Sequence, residues 1–190
     1  MSELAVGSLS GLAANSYVID VASGSKLRQP GQIIAVESVL KTDTFSASVA
    51  AGGNVAVTDL SITHEVEDAS NKLLITAFFG LASSSNARGR LGLAVHDGSA
   101  LIGVGDSAGS RTPVSAGGQI SPSDNSAVAI MPSVTFVHTP GAGSKTYTVR
   151  AVCLESTSAN TLYVNRTEGD DDSSSRPRAV SGLVIQEVSV

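Results

Sequence analysis

The sequence predicts an all-β antiparallel sandwich, and three observations carry that expectation. About ten short apolar runs recur between clusters of Gly, Ser, Asn, Asp and Pro, the pattern of a sandwich or barrel. Several runs alternate with period two: Thr146, Thr148 and Arg150 oppose Tyr147, Val149 and Ala151, and Val184, Gln186 and Val188 oppose Ile185, Glu187 and Ser189. No segment offers three turns of apolar residues at helical spacing with caps, so helix is confined to a turn or two and parallel α/β folds are excluded.

The first thirty residues are small and polar, with an apolar minority at Leu9, Leu12, Tyr17, Val18, Ile19 and Val21, and they close on Gln29-Pro30-Gly31. They read as an extended N-terminal docking arm, residues 1–30, with a turn after it. Chain ends fray unless something holds them, so the arm is expected to be pinned by another subunit. Residues 31–190 form one domain, because 190 residues suit a single core better than two. Its strands are expected at Gln32–Leu40, Thr44–Ala50, Val55–Val66, Lys72–Phe79, Leu91–His96 and Leu101–Val104. Further strands are expected at Ala127–His138, Lys145–Leu154, Thr161–Asn165 and Ser181–Val188. Met131, Val134 and Phe136 are expected on the buried side. The longest loops fall at Gly80–Arg90 and Gly105–Asn125, where partner contacts usually sit, and Asn86, Arg88, Arg111 and Asp124 are the candidate contact residues there.

Composition narrows the function. Hydrophobic residues are 42% of the chain, charged residues only 15% and aromatics 4%, with no Trp, so Val, Leu, Ile and Ala must fill a thin core. The net charge is -5 with scattered Lys and Arg, which offers no basic face for nucleic acid. No apolar stretch reaches the roughly 18 residues of a membrane helix. Met1-Ser-Glu-Leu lacks a basic region followed by an apolar core, so a chain made in a cytoplasm is expected, and Asn165-Arg166-Thr167 then matches the glycosylation triplet by chance. The single cysteine, Cys153, falls in phase with Tyr147, Val149 and Ala151 and reads as a small buried hydrophobe.

Four motifs suggest chemistry and fail on their surroundings. Gly105-Asp106-Ser107 copies a hydrolase nucleophile signature, but no Asp lies two residues before a downstream His and no helix follows, so Ser107 reads as a loop hydroxyl. Gly141-Ala-Gly-Ser-Lys-Thr146 has Ser144 where a phosphate loop needs Gly and leads into a strand, so it reads as a β-turn. His64, His96 and His138 lack the spacing of a metal site and read as solvated edge residues, although Glu65, Glu67 and Asp68 beside His64 make a weak cation site conceivable. Glu168-Gly-Asp-Asp-Asp172 lacks the alternation and distal Glu of a calcium loop and reads as a solvated turn. No cofactor and no metal are implied.

Two runs together carry a resemblance: Gly103-Val-Gly-Asp-Ser-Ala-Gly-Ser-Arg111 after a strand, and Thr161-Leu-Tyr-Val-Asn-Arg166 near the end. With Tyr147-Thr-Val-Arg150, the Asp-rich loop and Leu183-Val-Ile-Gln-Glu-Val188 in that order, residues 31–190 resemble small jelly-roll virion proteins of marine and other tailed bacteriophages. The leader from Leu9 to Gly31 looks like the one that precedes this domain in some members. The resemblance implies an antiparallel jelly roll similar to the C1q and tumour-necrosis-factor heads, a homotrimer and no catalytic residues. It implies a tail fibre or appendage that docks on other virion proteins by its arm and contacts a host-surface glycan or protein. The alternative role is a capsid decoration protein. From a different class, a carbohydrate-active enzyme would need a cleft with two partly buried carboxylates.

Overall fold

The structure, a computed structural model, describes residues 29–80, 82–84, 89–119 and 129–190. Twelve strands and no helix make up the described residues: β1 (Ile33–Lys41), β2 (Phe45–Val49), β3 (Asn54–Val66), β4 (Lys72–Phe78), β5 (Ala82–Ser84) and β6 (Arg90–His96), then β7 (Leu101–Ile102), β8 (Ala116–Gln119), β9 (Ser133–His138), β10 (Gly143–Cys153), β11 (Asn160–Val164) and β12 (Ser181–Val188). All pairings are antiparallel. One sheet runs β1-β12-β4-β9 and the second β3-β10-β6-β7, with β8 continuing along β6. Setting aside the small β2-β11-β5 sheet and β8, the remaining eight strands read first-eighth-third-sixth and second-seventh-fourth-fifth, which is the order of a jelly roll. The expected fold class is therefore what the chain adopts.

Period two does the sorting. Leu73, Ile75 and Ala77 of β4 and Leu183 and Ile185 of β12 point inward against Leu91, Leu93 and Val95 of β6 and Tyr147, Val149, Ala151 and Cys153 of β10. Cys153 is buried, as its phase predicts. In β3 the four residues from Val57 to Leu60 lie opposite the single Val149, a bulge in which Asp59 takes a φ of 59°. Asp tolerates that left-handed conformation, and the bulge lets Val57 and Leu60 both enter the core. Gly141 and Gly143, at φ 75° and 98°, make the expected turn between β9 and β10.

Three expectations need correction. Residues 80–90 and 105–125 are not simply loops, because β5 and β8 lie within them. The strand expected from Ala127 to His138 is described only from Ser133, since Pro132 cannot donate to a ladder. Val134 and Phe136 do pack against the core, but Met131 precedes the strand and is 73% exposed.

The sandwich has two unlike ends. At the first, the Gly31 amide donates to Ser189 O (2.8 Å), the Ser189 amide to Gln32 O (2.9 Å) and the Ser189 hydroxyl to Gln29 O (2.5 Å), so residues 29–32, where the arm joins, are fastened beside the end of β12. Register places residues 67–71, 97–100 and 139–142 at this same arm pole. At the opposite, distal pole gather residues 42–44, 50–53, 110–112, 154–159 and 165–180.

Candidate functional site

The two poles are closed by different chemistry. At the arm pole His64 of β3 reaches across to the other sheet: its Nδ1 lies 3.1 Å from Glu37 Oε1 of β1 and its Nε2 3.0 Å from Glu187 Oε2 of β12. Glu187 is fully buried, and its second oxygen accepts from the Asn71 side-chain amide (2.6 Å) and the Glu67 backbone amide (3.1 Å). Both oxygens of this carboxylate are hydrogen-bonded, which is the condition for burying it in a core. The cluster is a tie between the sheets, and its Asn71 also lines a depression at the arm pole.

A second crossing lies close by. His138 at the end of β9 packs edge-on against Tyr147 of β10, ring centroids 6.0 Å apart, with Asp97 Oδ2 3.9 Å from His138 Nε2. Burial pushes the His138 imidazole below its ordinary value, with Asp97 opposing and Lys145 reinforcing the shift. Burial and the nearby Asp97 raise the Tyr147 phenol well above its usual range. Burial works against the Asp97 carboxylate, but the Ala100 and Ser99 amides that donate to it, together with the nearby histidines, hold it below the ordinary value.

The distal pole is fastened by neutral groups. Asn165, wholly buried at φ 61°, donates from Nδ2 to Lys41 O (2.9 Å) and Asp43 O (2.8 Å) and accepts from the Ser181 hydroxyl (2.6 Å). One side chain thus joins the β1–β2 turn to the start of β12. Lys41, its own side chain buried, turns its ammonium to Asp43 at 2.8 Å, and that hydrogen bond holds the Asp43 carboxyl below its usual value. Outside this staple, Arg166 stacks over Tyr163 at 4.5 Å and pairs with Asp170 (2.8 Å), while Arg178 pairs with Asp170 and Arg176 with Asp171 (3.0 Å). Asp170 and Asp171 of the acidic run are thereby paired with arginines, and no cluster that could hold a metal ion is found among the described residues.

Two surface depressions lie among the described residues. One, at the arm pole, is lined by Gln29, Pro30, Asp68, Asn71, Ser189 and Val190. The other, of about 420 Å³, lies at the distal pole between Ala51-Gly52, Ser110-Arg111-Thr112 and Leu154-Glu155-Ser156. Each is lined by one carboxylate, Asp68 or Glu155.

The outward side of the β1-β12-β4-β9 sheet mixes apolar residues with Ser, Thr and Gln and carries little charge. Its rows read Val36-Gln186-Leu74-Val137, Ser38-Val184-Thr76-Thr135 and Leu40-Gly182-Phe78-Ser133, with Ile33, Val188 and Lys72 at the arm end. Lys72 is the only charge in these rows. Val36 is 59%, Leu40 60% and Val137 61% exposed, so the face is open.

The residues singled out in the sequence fare unevenly. Leu9, Leu12, Tyr17, Val18 and Ile19, and likewise Asn86, Arg88 and Asp124, lie outside the described residues. Arg111 is exposed, on the rim of the distal depression. Ser107 is an exposed loop residue, with no strand or helix beside it. His64 is not the solvated edge residue expected but is buried, because Ile62, His64 and Val66 share one inward phase. His96 and His138 are half-buried rather than solvated. Glu187 carries much of the structure without belonging to any motif that suggested chemistry, and its phase with Leu183 and Ile185 already points it inward.

No known protein family matches the sequence, and neither does any curated protein. Among solved structures, the chain is similar to one in the structure of the infectious bursal disease virus Gx strain, at 12% identity and a TM-score of 0.42. The match covers 90% of this chain and 46% of that one, so this chain spans about half the length of its neighbour. At that score the likeness carries no argument, and the fold assignment rests on the strand order. No helix among the described residues is long and apolar enough to cross a membrane.

Proposed function

We propose that the chain is a non-enzymatic structural protein of a tailed-phage particle. It assembles as a homotrimer, docks on other virion proteins through residues 1–30, and presents its distal pole to the host surface as a short fibre or appendage. The observation that carries this reading is the outward face of the β1-β12-β4-β9 sheet, which holds Lys72 as its one charge and exposes Val36, Leu40 and Val137, and which a neighbouring copy would cover. The threefold number follows from the resemblance. The separation of the poles gives the direction: the arm joins at one end, and the 110–112, 154–159 and 165–180 segments crowd the other. The non-enzymatic part is supported by the two depressions, each lined by a single carboxylate side chain where glycoside hydrolysis needs two.

Imaging of the intact particle tests the whole reading. Three copies per projection, with residues 1–30 against tail proteins, is the expected result. Many copies spread over the shell, with arms lying on capsid subunits, would make the chain a decoration protein instead.

A further inference from the structure

We infer that the distal depression is a recognition site for a carboxylated saccharide, with Arg111 as the group that reads the carboxylate. The inference rests on the distal pole facing outward, as proposed above.

Three segments build the site. The Gly52 amide donates to Glu155 O (3.1 Å), which ties residues 51–52 to 154–156, and Thr112 lies alongside, its hydroxyl oxygen 3.9 Å from where a Cβ on Gly52 would stand. The Arg111 backbone is fixed as well, its amide donating to Ala108 O at 3.3 Å. A preformed, backbone-tied rim lowers the ordering cost of binding.

The chemistry of the lining then selects the ligand. Glu155 is engaged by Arg90, whose backbone amide donates to Oε1 at 3.1 Å and whose guanidinium lies 3.8 Å from Oε2. Arg111, by contrast, has no carboxylate within ion-pair distance among the described residues. A guanidinium with five donors in a planar fork matches a carboxylate bidentately. Around it stand the hydroxyls of Ser110, Thr112 and Ser156, which suit a ligand rich in hydroxyl groups, and Leu154 supplies the one sizeable apolar surface. The pocket has neither an aromatic wall nor an apolar anchor site that would favour a peptide. A volume of about 420 Å³ accommodates a small saccharide. The carboxylate of Glu155 disfavours a dianionic group such as phosphate more than a singly charged sugar acid. Each site alone binds weakly, and three copies on one head convert weak single contacts into avidity.

The test is a nuclear magnetic resonance titration of the full chain with a galacturonic acid disaccharide, alongside its methyl ester and a short acidic peptide. We expect shifts concentrated at residues 51–52, 110–112 and 154–156, with the ester bound at least about tenfold more weakly, the loss of one good ionic contact. Arg111→Ala should abolish the shifts while the number of chains per assembly stays unchanged, since among the described residues the Arg111 side chain makes no hydrogen bond or ion pair. Arg111→Lys should retain part of the binding. Equal binding of the ester, undiminished binding by Arg111→Ala, or absence of any shift would overturn the inference. Tighter binding of the peptide would overturn the saccharide class. A negative result with an intact trimer would refute this site alone, whereas a wild-type monomer would refute the assembly reading whatever happens at Arg111.

Discussion

The two outward faces of the sandwich are built from the same backbone geometry and carry opposite surfaces. On the β1-β12-β4-β9 sheet the central rows hold Val36, Leu74, Val137, Val184 and Phe78 with no charge. On the β3-β10-β6 sheet the corresponding rows hold Glu65, Thr63 against Thr146, Ser61 beside Thr148 and His96, and Arg150 beside Asn54, to which it hydrogen-bonds. Each face even has one threonine pair, Thr76–Thr135 at 3.0 Å on the first and Thr63–Thr146 at 2.9 Å on the second. Both faces satisfy the same backbone ladders, so on the assembly proposed above the difference would follow what each face meets: water on the polar side, and a neighbouring copy on the other.

The largest expected effect comes from undoing the tie that keeps both faces on one body. Glu187→Ala leaves His64 with Glu37 alone and strips the Asn71 and Glu67 amides of their acceptor, and should cost about 3–5 kcal/mol in urea unfolding at fixed protein concentration. Next comes the direct contrast of faces. Leu74→Glu should dissociate the assembly, weakening each interface by about 2 kcal/mol or more, and yield folded monomers in native mass spectrometry. Thr148→Glu on the other face should leave the mass unchanged. Smaller, and more discriminating, is the pair of threonine deletions. Thr63→Val should cost about 0.5 kcal/mol, because the orphaned Thr146 hydroxyl finds water. Thr76→Val should cost about 1 kcal/mol or more, because a covered Thr135 hydroxyl finds none. Equal costs would mean that both faces are wet.

The gentlest probe is pH. The His138 imidazole is depressed in the folded protein, so below about pH 6.5 the unfolded chain binds more protons than the folded one, and stability should fall as pH falls through that range. The Tyr147 phenol is raised, so above about pH 10 the unfolded chain loses a proton that the folded one keeps, and stability should fall again as pH rises. Val substitution of His138 should flatten the acid limb of a thermal-melting series and leave the alkaline limb in place.

Strong alternation made much of this fold legible. The runs at Tyr147–Cys153 and Leu183–Glu187 could be assigned to strands, and their inward residues named, from period two alone. Strand β8 could not, since Ala116-Gly-Gly-Gln119 has no β-branched side chain and owes its conformation to pairing with β6. His64 was misjudged because its acidic neighbours suggested solvent, although its phase with Ile62 and Val66 already pointed inward. The partners that make its burial tolerable, Glu37 and Glu187, lie 27 and 123 residues away, and no local pattern links them. Asn165 was hidden for a related reason: its left-handed conformation and its bonds to Lys41, Asp43 and Ser181 exist only once β1, β11 and β12 are assembled.

Sedimentation equilibrium of the full, unmodified chain tests the central claim most directly. The account predicts a species of three times the 19.1 kDa chain mass at micromolar concentration. A single-chain mass at every concentration would contradict it, because the apolar face would then stand in water with nothing to cover it.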